Sequence, residues 1–353
     1  MQKRIYSIHI YTLLIMSTGF MVHVLLHPVI LTSSKRDAWV AVIGSLAPMI
    51  LWTILIYYLY KKFEQKNIFT FLFSLHPFVS YGISILLGIY FLMTAFITMK
   101  YTSFWSKTNY TFDIPNFLTV IPFASLCYYA SHKGIRTLGS IALFLLPLVV
   151  LFGFLVGIGN MKLKDYSMLF PIFEHGYSSF IPGMMYSCAS FFEIIYFLFI
   201  TPYSKDRVKM KALLPVSIVI FFLALGPLMA GIAEFGAEEA EKLKVPAFEE
   251  WRLLTLSTYI TRTDFLSIFQ WFSGAFIRVS LSMFIINQLF YYKKNKWILP
   301  ILYALLTLSV LIPVKFDTFF SFLYSIYFPA SLFFLILTCL LLFLLSRVKG
   351  DAP

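Results

Sequence analysis

Charge is what this 353-residue chain has least of: 12% of its side chains are charged, about half the roughly 25% usual for a soluble domain. With 60% hydrophobic and 19% aromatic residues, too little polar surface remains to enclose a large water-soluble core, which excludes a soluble globular or disordered chain. Cysteine is scarce too. Cys127, Cys188 and Cys339 lie in apolar stretches with no Cys-x-x-Cys pair, which excludes a cysteine zinc site and argues against a disulfide framework. No G-x-x-x-x-G-K-[ST], H-E-x-x-H or G-x-S-x-G segment occurs. ATP-driven pumping and the common hydrolase chemistries therefore have no local support, and neither a metal nor another cofactor is expected.

What the chain has in abundance is long apolar runs. A helix needs about 20 mainly apolar residues to cross a bilayer core of about 30 Å, and ten runs approach that length: roughly 7–31, 38–60, 79–103, 114–131, 138–159, 177–201, 211–235, 266–290, 297–313 and 324–347. The fourth and ninth are the shortest. The first follows Lys3 and Arg4 but is too long for a signal peptide and lacks a small-x-small cleavage site, so it reads as a retained span. The expected fold is an all-α polytopic membrane protein forming a single integral membrane domain over 1–353.

Lys and Arg concentrate in loops that stay in the cytoplasm. The side of the N-terminus holds sixteen of them against the acids Glu64, Asp206 and Asp351, giving +13; the opposite side holds eleven against twelve acids, giving −1. Both termini are expected in the cytoplasm, and the net charge of +12 is a matter of topology that implies a lipid bilayer and no nucleic acid. The longest loop, about 236–265, lies outside and carries Glu238, Glu239, Glu241, Lys242, Lys244, Glu249, Glu250 and Arg252 in the pattern of an amphipathic surface helix interrupted by Pro246.

Chemistry therefore belongs inside the bundle. In the first span Ser17, Thr18 and Gly19 precede His23, His27 and Pro28; in the sixth, Pro182 and Gly183 precede Ser187, Cys188, Ala189, Ser190, Phe191, Phe192 and Glu193, with Pro202 closing the run. Small and hydroxyl residues followed by proline let a helix unwind and offer backbone groups to a ligand, although the same residues also serve plain close packing. Two interruptible spans five apart suggest halves 7–159 and 177–347 related by an inverted five-plus-five repeat, with the first and sixth helices broken. His23 and His27 sit one turn apart without an acid or cysteine at ligand spacing, and read as packed or proton-linked rather than metal-binding. His9, His76, His132 and His175 fall near span ends and read as interfacial. Glu193 and Arg278 are mid-span charges, each costing about 2.5–3.5 kcal/mol to insert. They either face a ligand cavity, Arg278 together with Ser273, Gly274, Ser280 and Ser282, or form an ion pair that sets helix register.

Through its length, its ten spans, the interruptible first and sixth helices, a Pro171-x-Phe173-x-x-Gly176 stretch and a Pro202, Lys205, Lys209 ending, the chain resembles the spore germination permease family. These are the B subunits of germinant receptors in endospore-forming bacteria, within the amino acid–polyamine–organocation transporter superfamily. The resemblance implies a small-molecule germinant such as an amino acid, bound near the two helix breaks, and assembly with A-type and C-type receptor subunits in the spore inner membrane. By matched position it implies that Thr18, Gly19, Met21 and His23 line the pocket with Ser187, Ser190, Phe191 and Glu193. Met21-Val22-His23 stands where relatives carry a glycine-rich break, and Ile194-Ile195-Tyr196 follows Glu193, which implies a smaller or differently shaped pocket. The expected function is that of a non-enzymatic receptor subunit. A proton-coupled amino acid transporter, with Glu193 or His23 carrying the proton, and an assembly scaffold with a degenerate pocket are the alternatives.

Overall fold

The computed structural model describes residues 4–63, 67–174, 176–257, 259, 262–290 and 296–348. Lys3, Glu64, Lys66, His175, Lys293, Lys294, Lys349 and Asp351, counted above, lie outside the described residues. The protein is an all-α polytopic membrane protein. Among the described residues no β-strand forms, only an isolated parallel bridge between Ile5 and Ser204, and seven helical runs are long and apolar enough to cross a bilayer.

The first of these runs, Ser7–Phe63, doubles back at a 3-10 turn, Lys35–Asp37, where Lys35 takes φ 51°. The pieces beside the turn, Leu26–Ser34 and Ala38–Gly44, both pack on Phe180–Phe191, while the outer pieces, Ser7–Phe20 and Leu46–Phe63, both pack on Tyr196–Ile200. In this way one helical run supplies the first two apolar segments. The third (Pro77–Asn109) is 33 residues long and overshoots its expected ends; Pro77 stands in its first turn, where a missing N–H leaves no bond unmade. The fourth (Phe117–Lys133) and ninth (Ile298–Leu311) are the short ones, at 17 and 14 residues. The fifth is Ile135–Gly159, the sixth 180–203, the seventh Met210–Phe235, the eighth Leu266–Leu289 and the tenth 316–348.

Lys100, buried on the third helix, gives its ammonium to the Val310 and Ile312 carbonyls at 2.7 and 2.6 Å. It thereby satisfies acceptors at the C-terminus of the short ninth helix that lipid could not satisfy. The loop 236–265 holds two short helices, Ala237–Ala240 and Pro246–Leu253, so Pro246 begins a helix rather than interrupting one.

The loops sort to two ends. Lys35 pairs with Glu241 at 3.7 Å, Arg36 with Glu174 at 2.6 Å and Lys244 with Asp317 at 2.5 Å, which gathers four loops at one end. At the other, the Ile5 N–H donates to the Tyr203 carbonyl (2.9 Å), the Lys205 N–H donates to the Ile5 carbonyl (2.8 Å), and Tyr58 meets Phe343 of the tenth helix (5.9 Å between rings). The two described chain ends therefore share the lysine-rich end.

Candidate functional site

Neither interruptible helix unwinds. The first stays helical through a π-helical turn, Met21–Leu25, and the sixth through a 3-10 turn, Phe192–Ile195. Both changes of pitch free one carbonyl. At the first, the Met21 N–H turns to the Thr18 carbonyl rather than to that of Ser17, so the Ser17 carbonyl accepts from Arg278 Nη1 at 3.1 Å. At the sixth, the Tyr196 N–H reaches Glu193 and Ile194, leaving the Phe192 carbonyl to the Trp52 indole N–H at 3.0 Å, with Trp52 stacked on Phe192 (4.1 Å, 5°). Pro28 takes part in the same arrangement, since it offers no N–H to the Val24 carbonyl and the wider π turn lies directly before it.

Arg278, fully buried on the eighth helix, joins these parts. It forms a two-pronged ion pair with Glu193, Nη2 to Oε1 at 2.7 Å and Nη1 to Oε2. Its Nε donates to Thr98 Oγ1 at 3.0 Å, and Nη2 also reaches Met21 Sδ at 3.5 Å. With the Ser17 carbonyl, all five guanidinium N–H groups are engaged. Tyr90 donates its hydroxyl to Glu193 Oε1 at 3.4 Å, Tyr327 pairs with Thr94 at 3.4 Å, and Ser282 donates to the Arg278 carbonyl at 2.8 Å. Tyr327 belongs to a second π turn, Leu323–Tyr327. Two π turns and a 3-10 turn thus converge on one charge pair.

Of the residues singled out in the sequence, the structure brings Met21, Glu193 and Arg278 into contact. Thr18 is fully buried beside them, and among the described residues neither its hydroxyl nor that of Ser17 finds a hydrogen-bond partner. Gly19 faces the seventh helix, where a Cβ would lie 3.4 Å from Leu223, and Phe191 faces the same helix through Phe221 at 6.0 Å. Ser187 and Ser190 turn their hydroxyls back to the Gly183 and Tyr186 carbonyls (2.9 and 3.0 Å). His27 is held by its Nε2 on the Ala224 carbonyl at 2.9 Å, and His23 meets it edge to face at 5.3 Å.

Thr98, Tyr90 and Tyr327 were not among the sequence candidates. The first two had a readable sign: Tyr90, Thr94, Thr98 and Thr102 recur every four residues on the third helix, a polar stripe on an apolar span. Each threonine returns its hydroxyl to the carbonyl four residues before (3.0, 2.7 and 2.7 Å).

The buried centre is closed towards both ends. On the loop side, Phe20 lies over Gly274, whose absent Cβ would sit 2.7 Å from the ring, and meets Trp271 edge-on at 6.0 Å. Trp271 stacks on Trp105 (4.3 Å, 2°) and Tyr101 (5.9 Å, 7°), and Tyr101 donates to the Lys244 carbonyl of the loop at 2.8 Å. On the lysine-rich side Tyr196, Phe91 and Phe199 pack edge to face at 5.0 and 5.2 Å.

Residues 6–319 match the family described as spore germination protein. The chain belongs to that family. It is also 34% identical over 343 residues to spore germination protein XB of Bacillus anthracis, covering 96% of each chain. A multi-pass germination protein thus carries, at its centre, a fully satisfied charge pair beside two buried hydroxyls that find no partner among the described residues.

Proposed function

We propose that this germination protein is the nutrient-binding membrane subunit of a germinant receptor, a non-enzymatic protein that holds a small polar molecule, an amino acid or one of similar size, between the first and sixth helices. The observation that carries the reading is the pair of hydroxyls, Ser17 and Thr18, fully buried in the turn just before the first π turn and without a hydrogen-bond partner among the described residues. A buried hydroxyl without a partner costs about 1–3 kcal/mol, and a ligand's carboxylate or ammonium group would supply the missing bonds. In this reading Thr18, Met21, His23, Ser187, Ser190 and Glu193 surround the bound molecule, with Gly19 and Phe191 behind it against the seventh helix. Arg278 sets its shape through Glu193. Occupancy shifts the irregular turns around Arg278, and the altered helix ends are read by A-type and C-type subunits in the spore inner membrane. The five-plus-five repeat, 7–159 and 177–347, fits this arrangement because each proposed half opens with an irregular helix, the first span and the sixth.

Thr18→Leu places a bulkier apolar side chain there and removes one of the two hydroxyls. Spores carrying it lose, or shift by at least tenfold in concentration, the response to one nutrient while responses through other receptors persist; an unchanged dose response overturns the binding site. Gradient-driven uptake of that nutrient by purified protein in liposomes, abolished by Thr18→Leu, would instead establish a transporter.

The proposed orientation puts the lysine-rich end in the cytoplasm, following the +13 against −1 division. In a background lacking Cys127, Cys188 and Cys339, an impermeant thiol reagent applied to intact cells labels Lys242→Cys and spares Lys133→Cys. The opposite pattern reverses the topology.

A further inference from the structure

At the loop end, well away from the central pair, two carboxylates and one ammonium are shut away from water. Glu234 ends the seventh helix, Lys164 follows the fifth, and Glu250 lies on the loop helix Pro246–Leu253. Lys164 Nζ stands 3.5 Å from Glu234 Oε1, the two side chains being 3% and 0% exposed, and donates to the Gly157 carbonyl at 2.5 Å. Asn160 ties the group together, its Nδ2 donating to the Glu250 backbone carbonyl at 2.7 Å and to Glu234 Oε2 at 3.4 Å. The Glu250 carboxyl, 4% exposed as a residue, lies over Gly231, where a Cβ would stand 3.3 Å from its Oε1. Among the described residues that oxygen has no hydrogen-bond partner.

Lys164 can neutralise one carboxylate, and it is committed to Glu234. Glu250 is left as one uncompensated charge in an enclosed site, a state far costlier than a neutral acid. From the other elements packed on this helix, the first contributes His27, whose Nε2 is held on Ala224, and the eighth contributes neutral Gln270, which accepts from the Trp251 indole at 2.9 Å. On its own helix Arg252 is taken by Glu249 at 3.0 Å. None of these reaches Glu250.

We propose that Glu250 is a proton-binding site that locks the loop helix Pro246–Leu253 down on the end of the bundle, and that the helix lifts when the proton leaves. The helix is built to dock and to release: Phe248 packs on Trp105 and Tyr110 (5.6 and 5.8 Å), and Trp251 closes a small separate core with Val156 and Leu254. It shares the Trp105 stack with the closure over the central site. The inference holds whichever molecule occupies that site.

The sign follows from linkage. Docked, Glu250 holds its proton well above the usual carboxylate range, first through burial and second through the charge of Glu234, with Lys164 opposing. Lifted into water it returns to about 4.3. Docking is therefore strongest at acid pH and weakens by up to about tenfold per pH unit as pH rises from that value to the docked one, beyond which it is constant.

Hydrogen exchange on the full chain in lipid nanodiscs, corrected for intrinsic exchange and run from pH 5.5 to 8.5, tests this. Protection of amides 247–253 in the wild type is expected to fall with pH, by about tenfold per unit within the sensitive window, while Glu250→Gln, which keeps a neutral polar group there, stays protected throughout. Glu234→Gln frees Lys164 to serve Glu250 and is expected to end the fall at lower pH, leaving more protection than the wild type at pH 8.5. Equal profiles in wild type and Glu250→Gln overturn the proposal, as does a Glu234→Gln profile unchanged from wild type. Protection restored at pH 8.5 by added calcium or sodium also overturns it, and assigns the same oxygens to a metal ion.

Discussion

Glu193→Gln and Arg278→Met, made singly, each lower the amount of folded protein in the membrane more than the double variant does. The guanidinium spends two of its five N–H groups on Glu193, and both side chains are fully buried. Removing Glu193 leaves a buried cation held only by Thr98, the Ser17 carbonyl and the Met21 sulfur. Removing Arg278 leaves a buried anion with the long Tyr90 bond. Breaking one side of such a pair costs about 3–5 kcal/mol, whereas replacing both charges by neutral groups of similar volume is often tolerated. Membrane level by immunoblot and thermal unfolding of the detergent-solubilised chain measure the difference. A double variant less stable than either single would show that the two residues act independently.

Gly183→Val abolishes accumulation of the protein outright. Gly183 sits where the sixth helix crosses the first hairpin, and a Cβ there would stand 2.1 Å from Ser34 Oγ and 2.8 Å from Ala41 Cβ. Ser34 cannot simply turn aside, since its hydroxyl is bonded to the Ser179 carbonyl at 2.7 Å. Ala41 is fully buried and has no rotamer to change. Small residues at a crossing of membrane helices let backbones approach closely; inserting a branched side chain there drives apart the two helices that carry the site. Overpacking typically costs about 1–3 kcal/mol and occasionally more, and here it falls on a hydrogen-bonded serine side chain and an alanine methyl group rather than on the far end of a long flexible side chain. Wild-type levels and a wild-type melting temperature for Gly183→Val would refute the close crossing.

Hydrophobic run length was enough to define the class of protein and to locate its long apolar helices, because bilayer thickness imposes a length that any sequence must meet. Run length could not separate a straight helix from a bent one. Leu46–Phe63 begins at a bend at Ser45, whose hydroxyl turns back to the Val42 carbonyl at 2.6 Å, and the third helix extends six residues past its expected end at 103, to Asn109. Proline was legible as an interruption but not in kind. Pro28 lies just beyond a π turn and Pro246 opens a helix, because the outcome depends on which neighbouring side chain accepts or supplies the displaced bond.

Ser17, Thr18, Glu193 and Arg278 could all be picked out by composition, since hydroxyls and charges at mid-span depth are costly and so conspicuous; Met21 came only from the family resemblance. Their pairing could not. Arg278 is 85 residues from Glu193, 180 from Thr98 and 261 from Ser17, and no local periodicity relates such separations. The sequence by itself determined the all-helical class, the apolar segments, the charge division between the two ends and the list of polar residues requiring an explanation, because these follow from the solvation of each segment in lipid or water. Only the tertiary structure decided that Arg278 and Glu193 neutralise one another, that Gly19 and Phe191 turn towards the seventh helix, and that Glu250 is buried beside Glu234. Each of those depends on which helices lie side by side, and that is set by the summed packing of the whole bundle.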